Sequence, residues 1–274
     1  MVRVSIALVY SGIDAASRNI ARHVRELVGE WEEVDLGGSK AFYSPEIGAA
    51  LVGVEGELVY ADRVEDVVEA DLMVFLSRHA AAARLPSLTV HVPGNWTGEA
   101  RLGGEPEKLC VAPATPMLAT LRFMCEHKSD YGLDDWLCSY EATHHGPYIR
   151  STPVFFAEIG STEEEWVNER AGELVAMAIV EGLKERSEEA FLGIGGPHYA
   201  PKLTKYALEK GAPIGHIAPK YVLDVVKPEV LVKAVERTME RVKGVVIDWK
   251  GTKRSQRDRL LPKLLDLGLV LVRA

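Results

Sequence analysis

Three observations predict a three-layer α/β/α core built on a largely parallel or mixed sheet. Short apolar strands alternate with amphipathic helices along the chain. At 274 residues and 47% apolar, the chain can bury a substantial core. No repeat, low-complexity stretch or clear linker interrupts the alternation. Residues 1–274 therefore read as a single α/β catalytic domain, with a loop or small excursion at 37–60.

Val2 to Val9 reads as a buried first strand rather than a signal peptide. It runs straight into Ser11, Gly12 and a charged helix, without a small-residue cleavage pattern. Ile13 to Val28 carries helical periodicity through Ile20, Val24 and Val28, with Asp14 well placed near its start. Trp31 to Leu36 adds a second strand, and the glycine-rich residues 37–60 read as a loop with short strands. Val64 to Ala70 is a short helix feeding the strand Leu72 to Leu76. Leu88 to Val92 is another strand, closed by the turn signal Pro93, Gly94, Asn95.

Thr115 and Pro116 open the next helix, as cap and first-turn residue, and it runs towards His127. Trp136 to Thr143 leads into a histidine segment, and Val154 to Ile159 is a further strand. Ser161 to Glu165 begin a long helix towards Leu183, with acids near its positive end. Ala190 to Ile194 is a strand, Pro201 to Lys210 a helix and Ile214 to Ile217 a strand. A helix over Val230 to Val242, a strand over Val245 to Asp248, a basic helix over 254–267 and a strand over Leu269 to Val272 complete the series.

The net charge of −8 offers no general support for nucleic-acid binding. Its distribution is less discouraging: from Arg241 to Ala274 nine basic residues face three acids, a local +6 able to attract phosphates. Composition alone favours the plainer reading of the same run, an ordinary solvated helix face. No apolar run is long enough to cross a bilayer. Cys110, Cys125 and Cys138 form no close pair, which points to buried free thiols in a reducing cytoplasm. The length is compatible with a monomer, and neither DNA nor a membrane is expected as a partner.

Two short segments hold the chemistry. Glu141 to Pro147 contains His144 and His145, and Gly193 to Pro201 contains His198. Consecutive residues on an extended chain point to opposite faces, so His144 and His145 share a site only if Gly146 and Pro147 turn the backbone sharply. Glu141 or Glu158 can orient an imidazole and raise its basicity. Gly195 and Gly196 can offer amides to an oxyanion or phosphate, Tyr199 a ring or hydroxyl, and Lys202 and Lys205 their charges. Trp249 with Lys250 combines base stacking with backbone attraction.

Each has a plainer reading: a satisfied core imidazole, a tight turn, or a tryptophan at a core boundary. His79 and His91 stand at strand ends compatible with one crevice at a sheet edge. With His144 and His198 they can supply nitrogen to zinc, joined by Glu141 or Glu158. There is no His-Glu-x-x-His helix or cysteine cage, so spacing alone leaves the metal open. His23 reads as an ordinary helix residue, His127 as weak support for metal, and His216 as either a site neighbour or the end of a buried strand. The phosphate-loop and Rossmann glycine patterns are absent, as is the nucleophilic serine elbow.

The blocks Ser77 to His79, His91 to Asn95, Thr143 to Pro147, Gly195 to Pro201 and Asp248 to Gly251 resemble the archaeal and plant type of D-aminoacyl-tRNA deacylase. They extend across nearly the whole chain. The resemblance implies hydrolysis of the ester between a D-amino acid and the tRNA 3′ end, and removal of glycine mischarged on tRNA for alanine. It also implies zinc, a cytoplasmic setting, and a core similar to peptidyl-tRNA hydrolase and purine-nucleoside-phosphorylase folds. On it, His144 or His145 stands closest to proton transfer with Glu141 in support. His198 and the Gly195 and Gly196 amides bind the carbonyl or the terminal adenosine, and the metal donors come from His79, His91, His144, His198 and Glu158. Two other readings compete: an esterase similar to peptidyl-tRNA hydrolase acting on another acylated tRNA, and a non-catalytic RNA-binding module whose histidines stabilise loops.

Overall fold

The computed structural model describes residues 2–36 and 39–274. Gly37 and Gly38, within the expected 37–60 excursion, lie outside the described residues. Strand β1 (Val2–Ser11) leads into helix α1 (Ala15–Leu27), whose cap is Asp14, accepting from Ser17 N at 3.0 Å. The same carboxylate accepts from Arg78 N at 3.1 Å, tying the helix start to the strand that carries His79.

Strands β2 (Glu32–Leu36), β3 (Ser39–Ser44) and β4 (Ala49–Val54) form an antiparallel ladder, so the short strands expected within 37–60 are β3 and β4. Small residues, Ala49, Ala50 and Gly53, disguised β4; it lies parallel to β1 and is largely buried. Strand β5 (Val68–Ala80) begins directly after a 3₁₀ turn at Asp62–Asp66, so no α-helix forms at 64–70. Pairing of Val68 through Leu76 with β1 overrides the local preference there.

Strand β6 (Ser87–His91), helix α2 (Ala114–His127), strand β7 (Leu137–Tyr140) and strand β8 (Val154–Ser161) follow. Thr115 is not the cap of α2. The Glu240 carboxylate accepts from Thr115 N at 2.8 Å and Ala114 N at 3.0 Å, a distant acid doing what a local hydroxyl was expected to do. Cys125 and Cys138 form a disulfide, which overturns the free-thiol expectation for that pair; Cys110 is the buried free thiol. The α2–β7 turn brings their Cα atoms to 5.5 Å, a closeness that spacing along the chain does not reveal.

The helix expected from 161 to 183 is two helices, α3 (Glu163–Trp166) and α4 (Glu169–Gly182). Asn168 caps α4 by accepting from Ala171 N. Asn19 of α1 donates to the Trp166 and Asn168 carbonyls and so holds the break. Strand β9 (Glu189–Ile194), helix α5 (Pro201–Lys210), strand β10 (Ile214–Ala218) and helix α6 (Pro228–Glu236) come next. Strand β11 (Arg241–Ile247), helix α7 (Arg254–Leu265) and strand β12 (Val270–Arg273) end the chain. The helix expected over 230–242 stops early because Arg241 onward pairs with β9.

The eight-stranded sheet has the order β2-β3-β4-β1-β5-β8-β6-β7, and the four-stranded sheet β10-β9-β11-β12. The first is mixed, with β6 antiparallel to β8 and parallel to β7; the second is entirely parallel. Helices α1, α2 and α4 pack on the large sheet. One core runs from Val74, Phe155 and Leu174 into Phe191 and Ile217 of the small sheet. Leu192, Ile194, Leu231 and Leu260 form a second core under α6 and α7. The fold is α/β with a mixed sheet, as expected, joined to a second sheet that local periodicity did not separate. Among the described residues no helix is long and apolar enough to cross a membrane.

Candidate active site

Strand parity builds the floor. In the registers of β5, β8 and β6, Gly160 lies between His79 and Ser87, Glu158 between Ser77 and Thr89, and Phe156 between Phe75 and His91. Side chains two apart share a face, so His79, Glu158 and His91 all stand on one face of the sheet. His79 and His91 lie four residues apart along β8, about 13 Å of strand, with Glu158 midway. One carboxylate oxygen, Glu158 Oε2, reaches both: His79 Nδ1 at 3.5 Å and His91 Nε2 at 3.6 Å. The strand-end histidines His79 and His91 therefore stand over one face of the sheet, on either side of β8. Gly160 is required beside His79, because a Cβ there would come within 2.9 Å of the histidine's own Cβ.

The two histidine segments form the other side. Ala142 N donates to His198 O at 2.7 Å, Thr143 N donates to Ile217 O at 3.0 Å, and Gly94 N donates to His145 O at 2.7 Å. These bonds bring the chain after β7 against the chains after β6, β9 and β10. His145 adopts a left-handed backbone, φ 45°, which turns its ring to the same side as that of His144. Their centroids are 4.2 Å apart, and His144 lies 4.3 Å from His91 and 4.6 Å from His198.

Glu141 joins the two sides. Its Oε1 stands 3.0 Å from His79 Nδ1, and its Oε2 stands 2.8 Å from His198 Nε2 and 3.7 Å from His144 Nε2. His79 Nε2 meets the Tyr199 hydroxyl at 3.0 Å. His144 Nδ1 donates to Ala142 O and His145 Nδ1 to Gly146 O, so each keeps an Nε2 lone pair. Burial opposes charge on His79, yet Glu141 and Glu158 hold it up to about 11. Burial likewise opposes ionisation of Glu158, which the imidazoles draw down to about 2. Burial pushes His145 down to about 4, with repulsion from His91 adding to the shift. The result is alternation: anions between imidazoles that gain charge and imidazoles that refuse it.

A family model described as D-aminoacyl-tRNA deacylase matches residues 67–272. A D-aminoacyl-tRNA deacylase of Thermococcus kodakarensis is 41% identical over 271 residues, covering 95% of this chain and 97% of that one. The chain belongs to the D-aminoacyl-tRNA deacylase family. A D-aminoacyl-tRNA deacylase of Pyrococcus furiosus is 40% identical, with 95% and 97% of the two chains covered. A crystal structure of a conserved protein of unknown function superposes with a TM-score of 0.90 at 29% identity, over 98% of this chain and 95% of that one.

In this member of the deacylase family three donor sets have ligand atoms within 4.8 Å of one another: His91, His144 and His145; His79, Glu141 and His198; and His91, Glu141 and Glu158. His145 thus joins the metal-capable group, beyond the donors that the sequence suggested. A cation fits the cluster on a further ground. Among the described residues no close approach is aligned as a hydrogen bond at either Glu141 oxygen, at Glu158 Oε2 or at either His91 nitrogen, so these buried atoms have no hydrogen-bond partner there. Unpaired buried polar atoms are costly, and imidazole nitrogen with carboxylate oxygen is a donor set that suits zinc.

The expected substrate groups fare unevenly. Gly195 N–H is committed to Ala218 O, so of the two glycine amides only that of Gly196 is free for a ligand among the described residues. Lys202 pairs with Asp248 at 2.5 Å, and Lys205 with Glu209. Trp249 is covered by the guanidiniums of Arg257 and Arg273, 4.1 and 3.8 Å from its ring, where a stacked base would lie. Lys250 is exposed. The local +6 is largely spent: Arg241 and Lys243 meet Glu189, Lys253 meets Asp224 and Lys263 meets Glu229. His23 meets Glu26, and His127 meets Asp130 away from the cluster. His216 is buried and ties the histidine segment to its surroundings: its Nδ1 accepts from Thr143 Oγ1 and its Nε2 donates to the carbonyls of Cys110 and Arg237. Thr143 itself gave no sequence signal beyond standing next to His144.

Proposed function

We propose that this protein is a hydrolase that frees tRNA from D-amino acids by cleaving the ester at the tRNA 3′ end. The same site would take glycine from tRNA for alanine, in the cytoplasm where tRNA is charged. The observation that carries this reading is the convergence of His79, His91, His144, His145 and His198 on two buried carboxylates, in a member of this family. Ester hydrolysis needs a poised water, a stabilised oxyanion and a proton for the departing ribose oxygen.

His91, His144 and His145 are the set that would hold zinc. Zinc would supply a Lewis acid beside the ester carbonyl and ease deprotonation of water. Glu141 orients His198, whose ring is 32% exposed and faces the open side of the cluster. His198 takes a proton from the attacking water as its oxygen bonds to the carbonyl carbon. It returns that proton to the ribose oxygen as the ester C–O bond breaks, yielding free amino acid and tRNA. The Gly196 amide, two residues before His198 and without a backbone acceptor among the described residues, is the candidate donor to the oxyanion. Close approaches that are poorly aligned without substrate commonly tighten when it binds.

The test is hydrolysis of matched D- and L-aminoacyl-tRNAs, with zinc content measured before and after chelation. Release of the D-ester at least about 100-fold faster is expected, since a shaped pocket readily supplies discrimination of that order. Equal turnover of both esters overturns stereochemical editing. Full activity in zinc-free protein overturns the metal's role.

A further inference from the structure

The rings that the sequence offered for base stacking are occupied: Tyr199 packs against His79 and His198, and Trp249 lies under two arginines. A different aromatic stands open at the mouth. After β10 the chain turns over the Gly195–Gly196 bend, where Gly195 N donates to Ala218 O at 2.8 Å and Lys220 N donates to Gly196 O at 2.9 Å. Tyr221 is the next residue, and it is 56% exposed. Its phenol is partly shut off from water and is pushed up to about 12 by that burial, with the charge of Glu141 adding to the shift. The exposed ring therefore lies within the field of the catalytic cluster.

Two exposed cations are tied to the same bend. Lys220 is exposed and pairs with no acid among the described residues. Lys250 is also exposed and has no acid partner among the described residues, and it stands two residues after Asp248, whose Cβ and carbonyl lie against Gly195. An open aromatic face beside unpaired ammonium groups is what a single-stranded nucleic-acid end requires. The ring stacks on a base and the cations meet phosphates.

We propose that Tyr221, with Lys220 and Lys250, forms the seat of the 3′-terminal nucleotide of the RNA substrate, its ring stacking on the terminal adenine. This rests on the deacylase reading for the substrate class, and it makes Tyr221 a positioning residue rather than a catalytic one. The seat holds the terminal ribose where its ester faces His198.

The test is binding of uncharged RNA, which needs no catalysis. A short acceptor-stem RNA with a single-stranded 3′ end, and the same RNA lacking its terminal adenosine, are titrated into the wild type, Tyr221→Ala and Tyr221→Phe. Tyr221→Ala should weaken binding of the full RNA roughly 5- to 100-fold, the range of one lost base stack. Tyr221→Phe should bind like the wild type. Removing the adenosine should weaken the wild type by a similar factor and leave Tyr221→Ala almost unchanged. Lys220→Ala and Lys250→Ala should each reduce the salt dependence of binding by about one charge.

Full binding by Tyr221→Ala, equal penalties for adenosine removal in both proteins, or no RNA binding by the wild type would each overturn the seat. Thermal melts confirm folding of the variants. A wild type that binds RNA as described yet releases no amino acid would keep the seat and refute the editing reading. A wild type that edits, with Tyr221→Ala binding normally, would do the reverse.

Discussion

Glu141 faces three imidazoles with two oxygens, those of His79, His144 and His198, and is wholly enclosed. Burial opposes its ionisation, but His198 and His79 hold its carboxyl well below the ordinary range. Glu141→Gln keeps the shape and removes the charge. We expect kcat to fall by roughly 100-fold or more, the usual weight of a positioned acid–base pair, with KM little changed; single-turnover hydrolysis measures it. Activity within threefold of wild type would remove Glu141 from the mechanism.

His216 is wholly enclosed. Burial pushes it down to about 4 from an ordinary 6.5, and the nearby Arg237 guanidinium lowers it further, while its bonds to the Arg237 and Cys110 carbonyls act the other way. Cys110, Thr143 and Trp96 are the other groups packed on it. The unfolded state then binds more protons between pH 6.5 and 4. This contribution is complete above 6.5 and is lost as pH falls, by about 3 kcal/mol in all. Denaturant melts across that range should slope less steeply in His216→Gln than in the wild type, the remaining slope coming from His145, which is held down in the same way; identical slopes would count against it.

At the scale of elements, local signals failed where a distant group took over. Asp14 before α1 was legible because its acceptor and the amide it caps lie in one turn. The cap of α2 was not, because Glu240 supplies it from a remote strand start. The break between α3 and α4 depends on Asn19 of α1, so the apolar period alone ran straight through it. The disulfide between Cys125 and Cys138 closes a short loop, with a separation of 13 residues, just before Glu141. Closing a loop of that size is worth roughly 3 kcal/mol. Replacing both cysteines with alanine should lower the free energy of unfolding by about that amount. An unchanged midpoint in urea would show the link to be idle.

At the scale of the molecule, the two sheets share one core, from Phe155 through Phe191 to Ile217. We therefore expect one unfolding transition, with calorimetric and van't Hoff enthalpies in agreement. Two separated transitions would divide the chain into independent units. The site straddles this junction, so any looseness between the sheets would separate Glu141 from His198.

The alternation of strands and helices, the start of α1, and the two Gly- and Pro-bounded segments that hold His144, His145 and His198 were all legible along the chain. Those depend on periodicity and backbone preference within a few residues, which a linear reading captures. Only the tertiary structure decided that β8 runs between β5 and β6, placing His79, Glu158 and His91 on one face. It alone joined Ala142 to His198, covered Trp249 with arginines and left Tyr221 open. The physical reason is that strand partners and ion pairs are chosen by burial and hydrogen bonding between segments far apart in the chain, and no local window contains both partners.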